Sequence, residues 1–424
     1  IDALDTMWIM GLYDEFEEGV SMLANQTHLF RTQRPFDRLH TFEFVIRNIG
    51  GLLGAATVSN DPRLIKMACQ TGKAAINTLI DLETLYPQRY IVITGWPTLD
   101  RWLNKLYHTA GVWGIPGNRD NHRSTLASVG TNILEFRALS DICSWPLAEK
   151  YARQIIEDIV QRSMPVNFTV KGHCDINIVT GDSFNIVPPE MIKYIPENVL
   201  QRNKGFKLCK QSGGDSFFES IGKLGDKQTT DLIFNNRSIP TPTTHLECFW
   251  TGYLVQMGQM NAARRTFRAC LKMSKLTATG LPPNDSEDPR YELRPEIIES
   301  FFWLWLGTGD AEEEDWLQRE VRVIWENIVK HCRRPDGTFS SIADVFSSET
   351  KGKQWTNHTH SFFYAETLKY LYLLTIPKDE AIAIAKKYVF TTEAHLLRRP
   401  VDTDLHMKFN KVKSQINPLI SSAA

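Results

Sequence analysis

Four segments of this 424-residue chain place carboxylates inside apolar and aromatic runs, where a carboxylate is costly unless it is paired, metal-bound or catalytic. HTFEFVIRNIGGLLGA at 40–55 sets Glu43 and Arg47 four apart on one helical face, among Phe42, Phe44, Val45 and Ile46. A surface ion pair is the plain alternative, although Gly50-Gly51 suggests close backbone packing. QSGGDSFFESIGKLG at 211–225 opens an aromatic helix with Asp215, which an N-cap also explains, and carries Glu219 one turn on, where a capping box competes. RYELRPEIIESFFWLWLG at 290–307 has Pro295 suited to a first helical turn, with Arg294 before it and Glu296 and Glu299 at i and i+3. Helix dipoles enrich first turns in acids, and Glu312, Glu313, Glu314 and Asp315 read as a solvated helix start on that ground. HSFFYAETLKYLYLL at 360–374 embeds Glu366 among aromatics, and VFTTEAH at 389–395 ends a strand-like run in Thr392-Glu393. Buried oxygen ligands of this kind suit calcium or magnesium rather than zinc. His245 in HLECFW reads by itself as a core histidine, and Cys248 and Cys270, on consecutive helices, could pair.

Several separated carboxylates, 11% aromatic residues and no phosphate loop, nucleophile elbow or dinucleotide fingerprint point to glycoside hydrolysis. The elements that must position these groups are helices. Helix-period apolar spacing recurs around 3–24, 40–56, 61–81, 124–141, 146–163, 244–274, 293–307, 312–332 and 360–375. Punctuation such as NDP at 60, GIPGN at 114, LPPNDSEDP at 281 and RRPDG at 333 separates them without a low-complexity linker, so one continuous domain is expected. Residues 164–200 break the pattern with FTV, INIV and FNIV clusters and read as inserted strands and loops. Successive antiparallel helices give a bundle, a solenoid or a closed ring of hairpins.

A net charge of −1 argues against a nucleic-acid partner, and no run approaches the roughly 18 apolar residues of a membrane span, so no membrane contact is expected within this chain. Seven cysteines without a C-x-x-C pair suggest one or two bridges and no zinc. Sequons at Asn25, Asn167, Asn236, Asn284 and Asn357 fit a lumenal or secreted protein. The chain opens with Ile rather than Met, directly in a helix-like run, and reads as lacking its natural N-terminus.

The segments DALDTMWIMGL at 2, FEFVIRNIGGLL at 42, GTNILEFRALS at 130, GGDSFFE at 213, HLECF at 245, LRPEIIES at 293, SFFYAETLKYLYLL at 361 and FTTEAH at 390 together resemble the class I α-mannosidases, glycoside hydrolase family 47. The motifs run in family order from residue 2 to 395. The resemblance implies an all-α (α/α)7 barrel of helical hairpins over 1–400, its first helix missing, with a small β insertion and a C-terminal β-hairpin plug, followed by an extension at 401–424. It implies inverting exo-hydrolysis of α-1,2-linked mannose from high-mannose N-glycans with Ca2+ as cofactor, in the lumen of the Golgi or endoplasmic reticulum or after secretion. Inversion requires roughly 6.5–9.5 Å between the two carboxyls to admit a water. By position, Glu43 matches the acid acting through a water, Glu296 the base, and Asp215 the third essential carboxylate, with acid and base open between the three. Thr392 matches the direct calcium ligand, and Glu296, Glu299, Glu366 and Glu393 match carboxylates that orient its waters. Arg47, Glu135, His245, Arg294, Pro295 and Phe362 match substrate contacts, and Cys248 and Cys270 the family disulfide.

Gly213 stands where the endoplasmic-reticulum enzymes carry arginine, which places the chain nearer the Golgi and fungal secreted members. Four departures stand out: Thr244 and His360 replace acids, Asn284 replaces a glutamate, and Leu396 replaces a proline. They raise the alternative of a weakly active or inactive mannose-glycan lectin of glycoprotein quality control on the same fold. A terpene-cyclase-like helical barrel would need a DDxxD cluster, and no Asp-Asp pair occurs in the chain.

Overall fold

The computed structural model describes residues 1–26, 38–80, 86–93, 96, 98–100, 102–104, 123–163, 175–177, 215–223, 241–347 and 354–399. Among them, seven inner helical segments close into a ring. In chain order these are Leu4–Ile9, the continuous run 41–59, the broken pair Leu126–Gly130 and Ile133–Cys143, Asp215–Lys223, the run 246–256, Glu296–Gly307 and the run 363–373. Each packs on the next, and 363–373 returns to Leu4–Ile9, where the Thr6 hydroxyl donates to the Ala365 carbonyl at 3.1 Å. Outer helices Tyr13–Ala24, Pro62–Ile80, Leu147–Ser163, Met260–Lys275, Ala311–Cys332 and Lys378–Lys387 lie behind it.

Composition sorts the two layers. Glu296–Gly307, ESFFWLWL in its centre, is apolar all round and buries Ile297 through Trp305, as an inner helix must. Ala311–Cys332 is amphipathic and buries only the stripe Leu317, Val321, Ile324, Ile328 and Cys332. Asp310 caps it, accepting from the Glu312 and Glu313 amides. The expected solvated start holds for Glu312 and Asp315, whereas Glu313 pairs with Arg264 and Glu314 with Lys378 on neighbouring helices.

Two unbroken apolar periods, 3–24 and 244–274, are each a helical hairpin, the second in line with the placing of Cys248 and Cys270 on consecutive helices. Gly11 (φ +75°) and Gly258 (φ +70°) take the left-handed position that ends the first helix. The following amides, Leu12 N–H to Met7 O at 2.9 Å and Gln259 N–H to Leu254 O at 2.8 Å, complete Schellman turns. Apolar spacing continues through both because each helix of the pair buries a face on the same core. A helix at Lys378–Lys387 was not foreseen.

Of the expected β insertion, Asp175–Asn177 pairs antiparallel with Arg123–Thr125, while the FTV and FNIV clusters lie outside the described residues. The plugging hairpin is present: Tyr388–Phe390 pairs antiparallel with Leu396–Arg398 in the register Val389 with Leu397. Phe390 anchors it on Phe302, Trp303 and Tyr370, with ring centroids 5.7–5.8 Å apart. Cys248–Cys270 is bridged as the resemblance implied, and Cys69–Cys143 forms a second bridge. Residues 401–424, the expected extension, lie outside the described residues, as do Cys174 and Cys209.

Candidate active site

The inner helices enter one cavity of about 370 Å³ by their first turns. Glu43 comes from 41–59, Asp215 and Ser216 from the start of Asp215–Lys223, Phe249 from 246–256, Glu296 and Glu299 from Glu296–Gly307, and Glu366 from 363–373. The hairpin turn brings Thr392 and Glu393 to meet them. Each helix N-terminus carries roughly half a positive charge, so a ring of them favours carboxylates at its centre. Three of these starts are irregular. Phe44–Ile49 and Phe363–Thr367 are π-helical turns, and Leu293, just before Arg294-Pro295, has φ +62°.

The hydrogen bonds tie wall to plug. Thr392 Oγ1 lies 2.8 Å from Glu219 Oε2 and 2.9 Å from Ser216 Oγ. Lys223, buried in the wall, pairs with Glu219 and lies 3.7 Å from Glu299 Oε1. Glu299 Oε1 also accepts from Trp303 Nε1 and the Tyr370 hydroxyl, both at 3.1 Å. Arg47 Nε donates to Glu43 Oε2 at 2.6 Å, and its Nη1 donates to Glu393 Oε2 at 2.5 Å. Arg47 and Arg294 each stand over the Phe362 ring, 5.7 and 5.6 Å from its centroid.

Burial, with Glu219 and Glu296 nearby, pushes the Asp215 carboxyl up to about 7. Burial likewise raises Glu296, Glu299, Glu366 and Glu393, and the acids raise one another, Glu393 acting on Glu366 and Glu219 on Glu299. Glu296 Oε2 is buried without a hydrogen-bond partner. His245 is buried behind it, stacked on Tyr291, with Nε2 3.8 Å from Glu296 Oε2; burial and Arg294 hold its imidazole at about 3, so it is neutral. A knot of mutually raised carboxylates around a hydroxyl is a donor set for a hard divalent cation. Among the described residues no three His, Cys, Asp or Glu side chains converge as direct metal ligands.

The family model for glycosyl hydrolase family 47 matches residues 1–399. The chain belongs to that family. It is 27% identical, over 94% of its length, to the endoplasmic reticulum mannosyl-oligosaccharide 1,2-alpha-mannosidase of Homo sapiens, and 28% identical, over 96%, to the mannosyl-oligosaccharide 1,2-alpha-mannosidase of Candida albicans. It spans 58% of the length of the human relative and 77% of the Candida one. An alpha-1,2-mannosidase from Trichoderma reesei superposes with a TM-score of 0.69 at 19% identity, covering 94% of this chain and 90% of that one. The fold is therefore the (α/α)7 barrel.

Against that family 47 frame, Glu43, Asp215, Glu296, Glu299, Glu366, Thr392, Glu393, Arg47, Arg294, Pro295 and Phe362 all line the one cavity. Glu135 and His245 do not line it. Glu135 is buried with neither carboxyl oxygen hydrogen-bonded, its pKa raised by burial to about 7. The Glu43–Arg47 pair is a cavity wall rather than a surface pair, and Glu219 holds Thr392 rather than closing a capping box. Thr244 keeps a local role without its acid: its hydroxyl accepts from the Glu247 amide, and Glu247 Oε2 accepts in return from the Thr243 and Thr244 amides. Asn284 accepts from Arg294 Nε at 3.1 Å and donates to Asp288 at 3.0 Å, so this sequon amide serves the interior. Leu396, where family 47 has proline, supplies an amide that donates to Asp5 Oδ2 at 3.1 Å, a bond proline cannot make. His360 stacks on Phe362 at 4.7 Å with Nε2 3.9 Å from Glu292. Gly213 lies outside the described residues.

Sequence reasoning passed over Asp2, Asp5, Lys223, Lys369 and His395. The signal was there: each is a charged or titratable residue in or beside an apolar run, as in DALDTMWI and TLKYLYLL.

Proposed function

We propose that this chain is an inverting exo-α-1,2-mannosidase that trims high-mannose N-glycans and depends on calcium. The observation that carries the reading is the meeting of Glu43, Asp215 and Glu296 in one cavity beside Thr392, in a chain that belongs to family 47. Glu43 is the acid, acting through a water; Glu296 is the base; Asp215 is the third carboxylate, held with a proton near neutrality by burial. His245 sits 3.8 Å from Glu296 Oε2 and, being neutral, adds no positive charge to it, so burial keeps the base raised against the pull of Arg294. Phe362 offers an aromatic face to the sugar, steadied by Arg47 and Arg294. Thr392 would hold calcium directly, and Glu296, Glu299, Glu366 and Glu393 would orient its waters. Bound there, calcium supplies a fixed positive charge that holds sugar hydroxyls and water in place.

The small residue at 213 supports broad trimming of the Golgi and fungal secreted kind, in the secretory pathway or after secretion. Among the described residues no helix is long and apolar enough to cross a membrane. Mannose release from a nine-mannose N-glycan, with calcium and with chelator, tests the reading while NMR follows the product anomer. Calcium-dependent release of β-mannose is expected; bound but uncut glycan would move the assignment to the lectin reading that His360 raises.

A further inference from the structure

We infer that Lys223 and Lys369 are positioning residues for the cation site, together clamping the hairpin turn that presents Thr392. The inference rests on the reading of Thr392 as the direct ligand. Both ammoniums are almost wholly buried, at 3% and 0% exposure, although lysine ordinarily keeps its head in water. Lys223, from the wall helix Asp215–Lys223, donates to the Thr391 carbonyl at 3.1 Å. Lys369, from the run 363–373, donates to the Ala394 carbonyl at 2.6 Å. These two carbonyls bracket Thr392-Glu393, so the turn is held from both flanks by charge-assisted bonds.

Each lysine also engages an acid that grips the same turn. Glu219, paired with Lys223 through Oε1, takes the Thr392 hydroxyl on Oε2 at 2.8 Å. Asp5, 2.9 Å from Lys369, takes the Leu396 amide at 3.1 Å. Ala394 is kept at φ +54°, a conformation a non-glycine residue leaves unless its surroundings hold it. The two anchors therefore fix where the oxygens of Thr392 point, beyond the charge they add.

That distinction gives the test a sign. A lysine near a cation site repels the ion, so charge alone predicts tighter binding when it is removed, whereas a clamp predicts weaker binding. The full chain, stripped of metal, is titrated with terbium(III) and, in competition, with calcium, and luminescence lifetimes in H2O and D2O count the water bound to terbium. Two variants are compared with wild type: Lys223→Met, and Asp5→Asn with Lys369→Met, which leaves no unpaired buried acid. Binding weakened about tenfold or more, with more water on the ion, is expected of each. Unchanged or tighter binding with unchanged hydration overturns the clamp. Lys223→Gln, a smaller change, is read by the same two measurements and decides in the same way should the methionine variants not fold. Thr392→Val separates the two failures. If wild type binds no ion, or Thr392→Val binds as well as wild type, the cation reading falls; if only the lysine variants bind normally, the clamp alone falls.

Discussion

At the scale of single residues, the site depends on carboxylates that are unlike in surroundings. Glu43 is half exposed at the cavity wall, while Glu296 is deeply buried beside a neutral histidine. Replacing Glu296 by Gln keeps its shape and removes its basicity, so kcat is expected to fall by about 10²–10⁴, the share general-base catalysis supplies; wild-type turnover in that variant would contradict the role. Asn284 allows a different check. Its amide is committed to Arg294 and Asp288, so glycopeptide mapping of protein made in a secretory host should find Asn284 unmodified, in contrast to the exposed Asn25 and Asn357. The candidate acids were legible in the sequence because a carboxylate among aromatics has few innocent explanations. Asn284 was misleading for the opposite reason: a sequon reports only three residue types, and the fold committed this amide to Arg294 and Asp288.

At the scale of elements, glycines and bridges set how closely the helices approach. A Cβ on Gly54 would stand 3.0 Å from both Asp5 Oδ2 and the His395 Cβ, so glycine lets the run 41–59 lie close against the first helix and the hairpin. Gly54→Val is expected to destabilise the fold by about 1–3 kcal/mol, as overpacking does, read as a lower urea midpoint at unchanged slope. The Cys69–Cys143 bridge joins Pro62–Ile80 to Ile133–Cys143 across 74 residues of chain. Removing it by a double Cys→Ser change should cost about 2–4 kcal/mol in the same assay. Apolar period located most of the helices but ran two hairpins together, because the turns at Gly11 and Gly258 cost one residue each and leave the phase of burial nearly unbroken. The Cys69–Cys143 pairing was invisible for a simpler reason: it is made by the ring bringing two helices side by side, and no local pattern marks it.

At the scale of the whole molecule, its buried titratable groups pull stability in opposite directions with pH, and the raised acids and His395 set the slope toward alkaline pH. Asp215 and Glu135 are raised by burial to about 7, and Glu299 and Glu393 are raised as well. Burial would lower His395, but Asp5 and Asp2 outweigh it and hold the ring up to about 9. The four acids bind more protons folded than unfolded from about pH 4 up to their raised values, and His395 does so between about 6.5 and 9, so each contribution is lost as pH rises through its own window. Asp5, lowered by Lys369 and His395 against the pull of burial to about 2, acts the other way: its contribution is present above about 3.8 and lost as pH falls toward 2. His245, lowered by burial to about 3, opposes this trend up to about pH 6.5, so metal-free protein should unfold at progressively lower urea from about pH 6.5 to 8, and calcium should flatten the slope by favouring the ionised acids. A midpoint that rises from about pH 6.5 to 8 in chelator would show these acids to be charged in the folded state. The ring itself has a consequence in time. Asp5 meets Lys369 across 364 residues and His395 across 390, so the helix Leu4–Ile9 leaves the ribosome well before the residues it pairs with. At about 5–20 residues per second, that helix waits roughly 20–70 s, its apolar face uncovered. Synthesis rate, as much as sequence, then governs how many chains of this protein reach a closed barrel.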